Sequence, residues 1–241
     1  MLLVIPEKKE DIMCGRFVGF RKLEELKHYF PIDHANCEAA ANYNVAPSQE
    51  ILAITRLEGA NVLDMYHWGL VPFWAKDVAV GHKMINARSE TVATKPSFRE
   101  AFKKRRCLIL ADGFYEWKGE KGRRQPMFIT TPDTSPFAFA GLWETWHDTQ
   151  NQNAAYHSCT IITRDAVGVI RDLHHRMPVI LHPDAYGPWL DPDTHDLETL
   201  TTLLQTKFLT DLVCHPVGKQ VNSVRNNDPS NIRPVQAEFE F

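Results

Sequence analysis

Short apolar runs separated by polar or turn residues dominate the chain. Ile51–Arg56 and Val62–Trp68 read as strands joined around Gly59. Cys107–Ala111, Phe114–Lys118, Met127–Thr131, Phe137–Leu142, Tyr156–Thr163, Pro178–Leu181 and Leu212–Val217 read as further strands, with an Asp112-Gly113 turn signal between the first two. Helical spacing is confined to short stretches. Leu23, Leu26 and Phe30 share a face within residues 22–30, and Phe98, Ala101 and Phe102 share another. The second stretch follows a candidate Ser97 cap with Glu100 three residues on, and Leu197–Leu204 forms a third. Strands cluster without regular βαβ alternation, so the pattern predicts a single β-rich α+β domain.

Composition narrows the class. At 241 residues with 44% hydrophobic and 24% charged positions, the chain has the makeup of a globular protein and is not predominantly disordered. No apolar run approaches the ~18–20 residues that cross a bilayer. Leu2 to Ile5 is followed at once by charged residues and falls short of the ~7–15 apolar residues of a signal peptide. The expected location is the cytoplasm. Cys14, Cys37, Cys107, Cys159 and Cys214 are widely spread and include no C-x-x-C pair, so thiols are expected and neither a disulfide framework nor a metal site. No nucleotide-binding glycine motif, G-x-S-x-G or H-E-x-x-H occurs, and no cofactor is called for.

The net charge of −3 hides an asymmetry. Residues 95–124 carry ten Lys/Arg against four Asp/Glu, whereas residues 184–241 carry four against nine. A local basic face can bind nucleic acid on a protein acidic overall. Lys103-Lys104-Arg105-Arg106 reads equally as part of such a face or as a solvated helix end.

Four segments carry candidate chemistry. Met13-Cys14-Gly15-Arg16-Phe17 offers, if Met13 is the start and is removed, a terminal 1,2-aminothiol at Cys14. Its α-amine, with an ordinary pKa of about 7.7–8.0, captures an aldehyde as a Schiff base, and the sulfur then closes a thiazolidine ring. Taken alone, Cys14 reads more simply as a small buried hydrophobe. Asn86-Ala87-Arg88-Ser89-Glu90 supplies an amide, a guanidinium and a carboxylate, or merely the cap and first turn of a helix. In a strand, Glu116 shares a face with Phe114 and Lys118, where it serves as a general acid or base or simply pairs with Lys118 in solvent. In Leu173-His174-His175-Arg176, neighbouring histidines in an extended segment are expected to point in opposite directions.

Together these segments closely resemble the SRAP family, the SOS response-associated peptidases or abasic-site processing proteins. The match is carried by Met13-Cys14-Gly15-Arg16-Phe17, Tyr43-Asn44-Val45-Ala46-Pro47, Trp68-Gly69-Leu70-Val71-Pro72-Phe73-Trp74, Ile85-Asn86-Ala87-Arg88-Ser89-Glu90, Ala111-Asp112-Gly113-Phe114-Tyr115-Glu116-Trp117 and Leu173-His174-His175-Arg176-Met177-Pro178. The resemblance implies a single SRAP-type domain over residues 14–241, with short helices packed around a curved antiparallel or mixed sheet. It also implies that residues 1–13 are a misassigned start or a removed leader. The implied partner is single-stranded DNA containing abasic sites, trapped covalently through Cys14. Asn86 matches the residue that positions this nucleophile, Glu116 the acid/base, and His174 the histidine that helps open the sugar ring. Arg16, Asn44, Pro47, Phe73, Trp74, Arg88, Thr163 and Arg176 fall in motifs that contact DNA. A monomer, associated with the nucleoid when bound to DNA, is expected, with no membrane partner and no metal.

Two other readings compete. Cys14 as thiolate, His174 as base and Asn86 or Glu116 as orienter would make a cysteine peptidase, which needs no free α-amine. A non-covalent single-strand binder would rely on basic and aromatic residues alone.

Overall fold

A computed structural model describes residues 15–120, 122–148 and 154–235. Cys14 and the leader therefore lie outside the described residues. The strands are β1 (Phe17–Gly19), β2 (His34–Ala35), β3 (Asn42–Val45), β4 (Glu50–Leu57), β5 (Ala60–Trp68), β6 (Asn86–Arg88) and β7 (Arg106–Ala111). There follow β8 (Gly113–Lys118), β9 (Gln125–Thr130), β10 (Phe137–His147), β11 (Ala155–Asp165), β12 (Arg176–Pro178), β13 (Ile180–Leu181) and β14 (Val213–Pro216). The helices are short: α1 (Leu23–Leu26), α2 (Arg99–Lys104), α3 (Tyr186–Leu190) and α4 (Leu197–Thr206).

Strands β11, β10, β7, β4 and β5 are successive antiparallel neighbours, and β5 returns to pair in parallel with β11, Ser158 opposite His67 and Cys159 opposite Trp68. This closes a barrel, fringed by β12 and β6 along β11, β13 beside β10 and β2 beside β5. The second sheet is antiparallel throughout, in the order β14-β9-β8-β1-β3. The β-rich α+β expectation holds, with the sheet curved until it meets itself.

Strand alternation sorts the core. Leu108 and Leu110 of β7 pack with Phe102, Trp189 and Leu200 under the helices, while Cys107, Ile109 and Ala111 face Phe139, Cys159 and Ile161. Phe17 of β1 and Phe114 of β8 join this second cluster, so it bonds the barrel to the second sheet. Burial pushes the Cys107 and Cys159 thiols up, which leaves them inert as nucleophiles.

Several local expectations change. The Asp112-Gly113 pair does not turn a hairpin; it carries the chain from β7 in the barrel to β8 in the other sheet. Its carboxylate is committed to the N-terminal strand, accepting from the Phe20 amide at 2.7 Å and Arg21 Nε at 2.8 Å. Ser97 does not cap α2, whose N-cap is Phe98 with no side-chain bond. Residues 22–30 are α-helical only over Leu23–Leu26, although Leu26 and Phe30 are both buried as their spacing predicted. Asn86–Arg88 is a strand and not a helix start, because β11 offers its edge in parallel. The run Lys103–Arg106 is neither a uniform basic face nor a solvated end. Arg105 pairs with Glu144 at 2.7 Å, and buried Arg106 donates to the carbonyls of Phe102, Lys103, Trp189 and Asp191.

The loop 70–84 is pinched at its base. Gly69 adopts a φ of +141°, and its backbone packs directly on Gly81. A Cβ on Gly81 would stand 2.5 Å from the Gly69 carbonyl oxygen and 3.2 Å from Val71 Cγ2. Gly81→Ala is therefore expected to cost about 1–3 kcal/mol through overpacking, seen as a lower midpoint in urea unfolding. An unchanged midpoint would show that this pinch does not constrain the loop.

Candidate functional site

A cavity of about 560 Å³ opens between the β8–β9 hairpin and the turn before β12. Glu116, Trp117, Gly119 and Arg124 line one side, and Asp165, Arg171, Asp172, His174 and His175 line the other. The structure thus brings Glu116 and His174 to one chamber, although 58 positions separate them in the chain.

Glu116 reaches the chamber through strand alternation. Phe114 packs in the central cluster while Tyr115 packs with Val18 and Phe128 on the opposite face, which leaves Glu116 on the side of Phe114. It is 6% exposed, so the reading of a solvated carboxylate paired with Lys118 is excluded by burial.

The N-terminal strand runs beside it. Phe17 lies opposite Phe114, Val18 opposite Gly113, and the Tyr115 amide donates to the Arg16 carbonyl at 2.9 Å. Phe17 holds the strand down with edge-on contacts to Trp68 and Phe139, their ring centres 5.2 and 5.8 Å away.

His174 is fixed by the turn that precedes it. Ile170 is fully buried, and its carbonyl accepts from the amides of Leu173 and His174, both at 2.9 Å. The ring Nδ1 lies 3.1 Å from the Arg176 amide nitrogen and 3.3 Å from its carbonyl oxygen. An amide N–H donates and a carbonyl oxygen accepts, and these two contacts from one residue hold the ring in place. The two histidine rings do not point apart. A bend at His175 breaks the extended geometry and sets their centres 4.4 Å apart, tilted by 32°.

Asn86 is half-buried on β6, opposite Ile161. Ala87 packs with Ile162 on the helix side, so Asn86 shares the face of Ile161, whose cluster includes Phe17.

The residues in the DNA-contact motifs divide sharply. Phe73 and Trp74 are 57% and 52% exposed on the loop 70–84, Arg88 is exposed at the end of β6, and Pro47 is half-buried after β3. The other four turn inward. Arg16 Nη1 donates to Asn44 Oδ1 at 2.7 Å and to the Val221 carbonyl at 2.8 Å, and burial lowers its pKa. Buried Asn44 Nδ2 donates to the carbonyls of Val221, Ser223 and Asn226, strapping the C-terminal segment onto the second sheet. Thr163 is fully buried. The Arg176 fork grips Glu90 at 2.5 and 2.9 Å, Asp165 at 2.6 Å and the Thr163 carbonyl at 2.8 Å.

Sequence reasoning did not single out Trp117, Arg124 or Arg171 as lining residues, nor Glu90 and Asp165 as partners of Arg176. The glycine-bounded basic hairpin from Gly119 to Arg124 was a readable signal; the ion pairs were not, since their members come from three separate segments. Among the described residues there is no cluster of three or more His, Cys, Asp or Glu placed to hold a metal, and no helix long and apolar enough to cross a membrane.

A model of the family described as SOS response associated peptidase (SRAP) matches residues 13–224. The chain belongs to the SRAP family. The abasic site processing protein YoqW of Bacillus subtilis strain 168 is 44% identical over 91% of this chain and 99% of its own. The abasic site processing protein YedK of Escherichia coli K12 is 29% identical over 92% of this chain and its own full length. A crystal structure of a protein from Bacteroides thetaiotaomicron superposes with a TM-score of 0.77 at 25% identity, covering 91% of this chain and 99% of that one. The closed barrel, second sheet and short helices described above are thus an SRAP fold.

The Arg176 clamp has a definite pH signature within this SRAP protein. Burial alone would raise the Glu90 carboxyl, but the bonds from Arg176 and from its own backbone outweigh that and hold it below the usual carboxylate range. A depressed folded pKa stabilises above the unfolded value of about 4.3 and loses that contribution as pH falls through the folded pKa. The stability difference between the wild type and Glu90→Gln should therefore be constant above about pH 5 and shrink in more acidic buffer, as measured by urea unfolding. A difference that grows on acidification would contradict the clamp.

Proposed function

We propose that this protein processes abasic sites in single-stranded DNA by forming a covalent bond through Cys14, exposed as the N-terminal residue once residues 1–13 are absent. The observation that carries the reading is that buried Glu116, on a strand that pairs with the strand beginning three residues after Cys14, lines one chamber with His174.

An abasic deoxyribose is mostly a closed hemiacetal, and its aldehyde appears only with proton transfers. Glu116 takes the proton from the anomeric hydroxyl and delivers it to the ring oxygen as the C–O bond breaks, with His174 hydrogen-bonded to that oxygen. The α-amine of Cys14 then attacks the aldehyde carbon, Glu116 carries a proton from that nitrogen to the carbinolamine hydroxyl, and loss of water gives the Schiff base. The Cys14 sulfur adds to the imine carbon, the nitrogen regains a proton, and the thiazolidine closes. One water leaves overall. The same proton transfers run backwards would release the DNA.

The outer surface suits a lesion reader with no sequence preference. Phe73 and Trp74 offer faces on which any base stacks, worth about 1–3 kcal/mol per base. Arg88 stands exposed at the end of β6 for a phosphate, with Arg124 and Arg171 on the chamber wall. Arg16, Asn44, Thr163 and Arg176 serve the site by fastening the segments around it through internal hydrogen bonds.

The test is single-turnover crosslinking of abasic oligonucleotide, read on denaturing gels with protein beginning at Cys14. Cys14→Ala should abolish the adduct and leave single-strand binding intact. Glu116→Gln and His174→Ala should slow adduct formation by about 10²-fold or more at saturating DNA. Crosslinking at wild-type rate by either of the last two would overturn their roles, and a Cys14→Ala adduct would overturn the mechanism.

A further inference from the structure

The exposed aromatic pair stands on a loop with unusually complete anchorage. Glu144 and Ser158 are direct cross-strand neighbours on β10 and β11, and Trp146 lies one alternation beyond Glu144 on the same face. These three side chains meet the loop at every second residue. Ser158 Oγ accepts the Val71 amide at 2.9 Å and Trp146 Nε1 donates to the Ala75 carbonyl at 2.7 Å, while the Glu144 carboxylate between them faces the Phe73 amide in a weaker contact.

Glu144 is the charged member and the least expected. Its side chain is 7% exposed, and burial outweighs its partners to raise its pKa. Arg105 Nη2 holds one oxygen at 2.7 Å, and the Thr145 amide meets the other at 3.1 Å. A carboxylate so enclosed keeps a fixed rotamer. The loop amide that it faces belongs to Phe73, whose ring is turned to solvent.

We propose that Glu144, oriented by Arg105, is a positioning residue that presets the Phe73–Trp74 pair for stacking on unpaired bases. The inference rests on the reading above that these aromatics meet DNA. Rings held before the encounter bind without the ordering cost of a mobile loop. Glu144 itself touches no nucleotide in this account and acts only through the Phe73 backbone.

A double-mutant cycle tests this by fluorescence anisotropy with an undamaged single-stranded oligonucleotide at fixed salt, using the full chain. Phe73→Ala/Trp74→Ala should weaken binding about ten-fold or more. Glu144→Ala should weaken it several-fold in the wild-type background and add nothing when both aromatics are gone, although the fall in Tm persists in both. Glu144→Gln keeps an oxygen for the Phe73 amide and should restore most of the affinity, which also covers failure of the alanine variant to fold. An equal loss from Glu144→Ala with and without the aromatics, or no loss in a folded variant, would overturn the positioning role. An unchanged affinity of Phe73→Ala/Trp74→Ala would instead overturn the assignment of the aromatics to DNA, and the proposal with it.

Discussion

The pairing of a three-residue strand, Phe17–Gly19, between β8 and β3 is the constraint on which the site depends. Its hydrogen bonds fix register, but so short a ladder has little strength of its own. Phe17 and Val18 supply the hold by facing opposite ways, one into the core shared with the barrel and one beneath the C-terminal strap. Burying a side chain of either kind contributes about 1.5–3 kcal/mol, and the aromatic contacts of Phe17 add roughly 0.5–1.5 kcal/mol each. The Asp112 carboxylate then pins Phe20 and Arg21 where the strand leaves. A slip of one residue would exchange the buried faces of Phe17 and Val18.

Around that strand, charged groups are used chiefly as fasteners. Arg176, Arg106, Arg105 and Arg16 lie in or near the basic and motif-bearing segments, yet each is turned to internal acceptors. A guanidinium suits this work because its planar fork meets several carbonyls or carboxylates at once. The consequence is a rigid rim. Arg176 ties β12 to Glu90 beyond β6 while its amide orients His174, and Arg16 with Asn44 ties the C-terminal segment across the sheet that carries Glu116. Phe73, Trp74 and Arg88 are exposed at the surface.

Much of this was legible before the fold. Strands such as Val62–Trp68 and Phe137–Leu142 were evident because period-two alternation and continuous apolar runs are local signals, and the observed strands extend or match them. Glu116 declared its face for the same reason. Asn86–Arg88 read as a helix start because a three-residue strand carries no periodicity of its own and exists only because β11 presents an edge. The histidine pair was misjudged because alternation was assumed through a bend. The inward turn of Arg176 and Asn44 escaped because a motif says which residue is required and not whether it touches ligand or scaffold. Glu144 was invisible for a related reason: its partners, Arg105 and the Phe73 amide, are distant in sequence and meet only when the barrel closes.

The central claim is that a terminal aminothiol at Cys14 closes a ring on an abasic aldehyde. Intact-mass spectrometry tests it most directly, with protein beginning at Cys14 incubated with a single-stranded oligonucleotide bearing one abasic site. The account predicts one new species at the summed mass of protein and DNA less one water, resistant to borohydride reduction because the imine has already been consumed by sulfur. Intact free protein and DNA alone, under conditions where the two bind, would contradict it.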